Sequence, residues 1–295
     1  VSDTTTEPQA TATADDFTPT RCAATYNVLD GAWEDPEGLV RVLAGLGADV
    51  IALQECRGWD EEHHARLHEV ASALGMQALF APSGSNRCHI VLLYHPETFH
   101  LDDWTPDAAE GRFQHTLLRA RLTVHATDEK LTVLATHLSP LGGATRAVEA
   151  GWLTQYAEPG RSAVLLGDLN TIGAGDPEPD WTRFPPHLYS RHRTILPNGE
   201  WGPADRRAMH ILVGAGWTDP FAEPGREFTP TVGHFRPDEP GPHRSDHILL
   251  SPALANRLVD CAVIDTDQTR RLSNHLPVRV RWRDGPQPYE KEQGR

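Results

Sequence analysis

The chain has 295 residues, with 27 Lys plus Arg against 41 Asp plus Glu, a formal net charge of −14 at pH 7. Hydrophobic residues make up 39% and charged residues 23%, which excludes wholesale disorder. The acidic balance and the lack of any Lys/Arg run also exclude generic coating of nucleic acid, which depends on basic side chains neutralising phosphates.

Residues 1–19 are rich in Thr, Ala and Asp, with no basic region leading into an apolar one. They read as a disordered leader, not a signal peptide, and a cytoplasmic location is the default expectation. No apolar stretch is long enough to span a membrane. Arg21 to Leu29 is a strand candidate. Pro36 to Gly47 carries apolar residues at 39, 40, 43 and 46, a helical stripe opened by Pro and closed by Gly. Val50 to Leu53 reads as a buried strand, and Asp60 to Leu74 as a second helix stopped by Gly75. From Met76 the pattern turns to strands, at 76–81, 88–94, 116–125 and 131–136, the last two joined by a polar turn.

A helix is expected at 144–157 and a short buried strand at Ala163 to Leu166. Residues 173–203, rich in Pro, Gly and Trp, read as a long functional loop. A helix at 204–215, a strand near Trp217, a Pro/Gly-rich segment at 229–244 and strands at 247–250, 260–265 and 277–283 follow. The mixture indicates one α/β domain over 20–284 with much antiparallel sheet, followed by a tail at 285–295. Cys22, Cys56, Cys88 and Cys261 form no CxxC pair, so free thiols are expected.

Polar residues recur where strands end: Asn27, Glu55, His137, Asp168 with Asn170, Asp246 and His275. Strand ends gather side chains from distant sequence into one place. The residue types suit phosphoryl chemistry, which needs an activated water and dispersal of charge on the phosphoryl oxygens. Mg²⁺ prefers oxygen donors and one or two carboxylates, so Glu55 fits as a ligand with Asn27 beside it. Asp246 with His275 would form an oriented general base, Asp168 and Asn170 would position water, and His137 would bond to the phosphoryl oxygen.

In order along the chain, TYNVL, LQE, THL, GDLN, RSDHILLSPAL and SNHLPV resemble the endonuclease/exonuclease/phosphatase superfamily of metal-dependent phosphoesterases. That superfamily includes pancreatic deoxyribonuclease, apurinic-site endonucleases, sphingomyelinases and inositol-phosphate phosphatases. The resemblance runs from about residue 20 to 283. It implies a four-layer α/β sandwich, two mixed β-sheets packed face to face with helices outside and the site at one end. It also implies Glu55 and Asn27 at the metal, His137 near the scissile phosphate, Asp168 and Asn170 at the water, and Asp246 with His275 as the orienting pair. The last motif usually reads Ser-Asp-His; here it reads Ser273-Asn274-His275, which puts a neutral amide at the metal.

His247 directly follows Asp246, but the apolar run after it marks it as a strand residue. His64 and His68 have the spacing of a metal pair on a helix, without a third ligand, and a solvated face is the better reading. His89, His95, His100, His115 and His125 carry no assigned role. Trp33, Trp59, Trp181 and Trp201 fall in loops near the motifs, either as core plugs or as a stacking rim for substrate. Arg57, Arg87, Arg112 and Arg146 are candidate phosphate contacts.

These features lead to a Mg²⁺-dependent phosphoesterase, with Mn²⁺ a substitute, that attacks phosphorus in line with water. Charge favours a small phosphorylated substrate. A DNA or RNA nuclease of the same superfamily is the alternative, and a non-hydrolytic binding module, suggested by Asn274, is the second. No protein partner is implied.

Overall fold

The computed structural model describes residues 19–223 and 225–285. The leader expected at 1–19 and the tail at 285–295 lie outside these residues apart from Pro19 and Gly285. The first half forms β1 (Thr20–Asn27), α1 (Pro36–Gly45), β2 (Val50–Gln54), α2 (Ala65–Leu74), β3 (Gln77–Ala81), β4 (Ile90–Tyr94), β5 (Phe99–Thr105), β6 (Leu117–Val124), β7 (Lys130–His137), α3 (Gly143–Leu153) and β8 (Ser162–Asp168). The second half supplies α4 (Tyr189–His192), β9 (Arg193–Ile195), β10 (Trp201–Ala204), α5 (Arg207–Gly214), β11 (Asp246–Leu250), α6 (Pro252–Ala255), β12 (Leu258–Val263), α7 (Asp267–Leu272) and β13 (Val278–Arg283).

Continuous apolar runs become strands buried on both faces. In β2, Val50 and Ala52 join the core between the sheets, while Ile51 and Leu53 join the layer under the helices. Two sheets result, a six-stranded one ordered β12-β13-β1-β2-β4-β3 and a five-stranded one ordered β11-β8-β7-β6-β5. Each is mixed, since β1 with β2 and β7 with β8 are parallel and the other pairs antiparallel. The inner faces meet through residues such as Ala52, Leu92, Val133, Val164 and Val280. Helices α1 and α2 cover one outer face through Leu39, Leu43, Leu67 and Val70. Helices α3 and α5 cover the other through Ala150, Leu153, Met209 and Leu212. This is the four-layer α/β sandwich.

Local chemistry sets the ends. Asp35 accepts the Gly38 N–H at 2.8 Å and Pro36 opens α1, which satisfies a helix terminus with pre-set backbone geometry. The second helix begins at Ala65 rather than Asp60, because Glu62, His63 and His64 adopt left-handed backbone (φ 48°, 57° and 63°). His64 therefore precedes the helix, and His64 and His68 are not a pair on one helical face. Part of the expected 173–203 loop forms the β9–β10 hairpin, so Trp201–Ala204 is strand and the following helix starts at Arg207. Near Trp217 there is only a bridge from Thr218 to Leu250. Strand β5 and helix α7 have no counterpart among the elements expected from the sequence.

One close approach fixes where the site forms. In the parallel β7–β8 pair, His137 lies opposite Asp168 and Thr136 opposite Gly167. A Cβ on Gly167 would lie 2.0 Å from the Thr136 carbonyl oxygen, so only glycine lets the two strands run this close.

Candidate active site

The strand ends converge as their chain order requires. Asn27 closes β1 opposite Gln54 of β2, and Glu55 follows immediately. His137 closes β7, Asp168 closes β8, and Asp246 opens β11 in register with Asp168. Asn274 and His275 arrive on the loop between α7 and β13. Glu55 at φ 59° and Asn170, two residues past Asp168, at φ 48° sit in the left-handed region, a cost that surrounding contacts must hold in place.

Asp168 is the hub. Its Oδ2 accepts from Asn27 Nδ2 at 3.2 Å and lies 3.3 Å from His137 Nε2 and 3.7 Å from His275 Nε2. Its Oδ1 accepts from Ser245 Oγ at 2.6 Å and from the Asn170 N–H at 2.9 Å. His275 Nδ1 lies 2.8 Å from Asp246 Oδ2. Asn170 donates its amide to Leu138 O at 2.9 Å and lines the cleft. Ser273 Oγ donates to Asn27 O at 2.7 Å, tying the α7–β13 loop to β1. Of these residues His137, Asp168, Asn170, Ser245 and His275 line a cleft of about 320 Å³, while Asn27 and Asp246 lie fully buried behind it.

Burial and charge oppose one another here. Burial disfavours charge on Asp168, but His275 and His137 override it and hold its carboxyl well below the usual range. Burial also works against charge on His275, and Asp246 and Asp168 overcome it, lifting its imidazole to about 10. His137 is raised as well, burial being outweighed by Asp168 and Glu55. Glu55 is lowered, the effect of His137, His275 and Asn27 exceeding that of burial.

The residues fit a hard divalent cation. Asn274 Oδ1 and Asp246 Oδ1 are buried oxygens without a hydrogen-bond partner, and Asn274 lines the same cleft as Glu55. A second arrangement is also present: one ligand atom from each of Asp168, Asp246 and His275 lies within 4.8 Å of the others, and this buried cluster could hold a metal. Asn27 faces the carboxylates as a donor. The Leu29 N–H donates to its Oδ1 at 3.1 Å, which fixes the amide and turns Nδ2 towards Glu55 and Asp168.

The substrate-binding candidates are dispersed. Arg57 lines the cleft and donates to Asn86 O at 3.0 Å. Arg146 does not line it; this buried side chain donates to Ser139 O at 3.0 Å and to Arg191 O, supporting the floor from beneath. Arg87 pairs with Asp60 and Glu61, and Arg112 stacks on Trp152. Trp181 packs against Phe184 and Arg193 outside the cleft lining, and Trp201 lines a separate depression with Arg193 and Arg207. Trp59 is fully buried, its indole N–H donating to Gly31 O at 3.0 Å, so it is a core plug. Trp33 is 52% exposed and lines a neighbouring groove.

Several wall residues were not singled out by the sequence. His115 stacks on His137 with ring centroids 4.4 Å apart, and His192 and His243, packed edge to face 5.2 Å apart, also line the cleft. Glu149 accepts from the Gln114 and Ser139 N–H groups at 2.8 Å each, tying together the loops that flank His115 and His137. The only available signals were a histidine immediately before RSDH and a Glu inside a helical stripe. The four cysteines are buried free thiols. Among the described residues no helix is long and apolar enough to cross a membrane.

The model of the Endonuclease/Exonuclease/phosphatase family matches residues 24–275. An endonuclease/exonuclease/phosphatase from Beutenbergia cavernae superposes with a TM-score of 0.63 at 21% identity, covering 91% of this chain and 72% of that one. A mannosyl-6-phosphatase from Bacteroides thetaiotaomicron gives 0.62 at 16% identity, covering 88% and 98%. A 3′ phosphatase from Neisseria bound to a product DNA hairpin gives 0.60 at 20% identity, covering 89% and 99%. No curated protein matches the chain.

Proposed function

The chain belongs to the endonuclease/exonuclease/phosphatase family, and on that footing we propose that it is a Mg²⁺-dependent phosphoesterase that hydrolyses a small phosphorylated substrate by in-line attack of water. The observation that carries the reading is the convergence of Asn27, His137 and His275 on one oxygen of Asp168, a buried carboxylate that lines a polar cleft. Such a carboxylate, fixed by three side chains, is suited to holding a water in one orientation.

Asp168 and Asn170 orient the attacking water, and its proton passes to the Asp168 carboxylate, which the charged His275 beside it holds ionised. Asp246 holds His275 through Nδ1, so that Nε2 faces Asp168. His137 and Arg57 face the phosphoryl oxygens and offset their charge. Mg²⁺, with Mn²⁺ as a substitute, would be held by Glu55 and Asn274 and would supply Lewis-acid stabilisation of the phosphoryl oxygens. Asn27 keeps the Glu55 and Asp168 carboxylates apart and aligned by donating to both.

The net charge of −14 and the modest cleft favour a small ester over a polynucleotide. The fold itself admits either, since its neighbours include a mannosyl-6-phosphatase and a phosphatase bound to DNA. The deciding assay is hydrolysis of p-nitrophenyl phosphate and bis-p-nitrophenyl phosphate with Mg²⁺, with Mn²⁺ and with EDTA. Turnover that needs the metal and is lost in Asp168→Ala and His275→Ala supports the proposal. A folded protein that turns over no phosphoester overturns it in favour of a binding module.

A further inference from the structure

Beyond the reaction cleft the surface continues as a groove. Glu239 and Asn274, on the cleft wall, also wall a narrower stretch with Leu29, Phe235 and Arg236. Those last three in turn wall a depression of about 610 Å³ that reaches Trp33 and Arg271. Shared wall residues therefore link the cleft of the strand-end carboxylates, through this stretch, to an exposed indole.

That indole is held, not free. Its Nε1–H donates to Arg57 O at 2.9 Å, and the Arg66 guanidinium lies 5.6 Å from the ring centre. Gly31 and Gly58 both have left-handed backbone (φ 82° and 76°), and a Cβ on them would lie 2.7 and 3.0 Å from the ring. Two glycines thus make the bed for a ring that nonetheless remains 52% exposed. A large aromatic, fixed and left open, loses little entropy when a second flat ring is laid on it.

The charges beside it are arranged unequally. Of the three acids on this wall, Asp30 pairs with Arg57, and Asp35 caps α1 and lies 3.9 Å from Arg41, which leaves Glu34. Arg236 lies over the Phe235 ring at 5.3 Å, and neither Arg236 nor Arg271 forms an ion pair among the described residues. An aromatic platform beside two guanidinium groups that form no ion pair among the described residues offers a ring and an anion their complements.

We propose that this groove is the second half of the substrate site, taking a nucleotide unit beyond the scissile phosphate, with its base on Trp33 and its further phosphate at Arg236 and Arg271. The inference rests on the phosphoesterase reading of the cleft and names the substrate class. It also gives Asn274 a place at the junction of the two halves.

Two measurements separate this inference from the reading beneath it. Calorimetric titration with 5′-phosphorylated dithymidylate in EDTA reads binding without turnover. Trp33→Ala should weaken it by about tenfold, Trp33→Phe should recover most of the loss, and Arg271→Glu should weaken it similarly. Because Arg271 is exposed, its variant carries the test even if Trp33→Ala fails to fold. With Mg²⁺, the KM for the dinucleotide should rise in both variants several-fold more than the KM for bis-p-nitrophenyl phosphate. Equal dinucleotide affinity in wild type and both variants overturns the groove while leaving hydrolysis of the simple ester intact. Variant-sensitive binding by a protein with no esterase activity upholds the groove and overturns the phosphoesterase.

Discussion

His275 stands between two carboxylates: its Nδ1 lies 2.8 Å from Asp246 Oδ2 and its Nε2 3.7 Å from Asp168 Oδ2. The two aspartates are register partners on neighbouring strands, so the ring is gripped by backbone pairing as much as by its own bonds. Asp246→Asn keeps the shape and removes the charge that orients the ring. We expect kcat for bis-p-nitrophenyl phosphate to fall by about 10²–10⁴-fold with the fold retained. A loss smaller than about threefold contradicts the orienting role.

Asn274 carries a buried oxygen without a partner where the family pattern has a carboxylate. Asn274→Asp restores a negative charge beside Glu55 and should lower the Mg²⁺ concentration for half-activation by about threefold or more. Magnesium calorimetry on the same variant reads the affinity directly. An unchanged or weaker metal response removes Asn274 from the metal.

Arg146 is 1% exposed and donates to the carbonyls of Ser139 and Arg191 under the cleft. Arg146→Met strands both acceptors and should cost about 2–3 kcal/mol in urea unfolding. Arg191 and His192 line the cleft, so KM should suffer more than kcat. A variant with wild-type stability would show that neither bond matters.

His243 donates through Nδ1 to Gly241 O at 2.8 Å, and burial presses its pKa down to about 4 from 6.5. Above pH 6.5 neither folded nor unfolded chain protonates this ring, and its stabilising share is complete. As pH falls from 6.5 to about 4 the unfolded chain binds the proton first, and that share is lost. Between pH 7 and 4.5 the wild type should lose about 2 kcal/mol more than His243→Gln, measured by urea unfolding. Parallel losses in the two proteins would exclude His243 as the source.

The strand-end residues were legible because each breaks an apolar run with a group that a core rejects, and Asn27, Glu55, His137, Asp168, Asp246 and His275 do converge. What a motif does not contain is direction. Asn27 reads as a ligand by type, yet the Leu29 N–H decides which end of its amide faces the carboxylates. Among four loop tryptophans, Gly31 and Gly58 left Trp33 open on the surface while Trp59 was drawn into the core, a distinction made by distant packing. Strand β5 escaped notice because its exposed face carries Asp102 and Asp103 at an edge of the sheet, where solvent tolerates charge. Helix α7 is six mostly polar residues held by a Thr266–Thr269 capping box, with no apolar stripe to betray it.

The pairing of β7 with β8 has a practical corollary. Side chains alternate along β8, with Val164 and Leu166 facing the inner core and Leu165 facing the helices. A slip of one residue would exchange those faces and carry Asp168 away from His137 at the same time. Chemistry and packing therefore share a single alignment error, and no well-packed molecule with a displaced hub can accumulate. Titrating active sites in a purified preparation would then count correctly assembled molecules, making catalysis a direct gauge of folding yield.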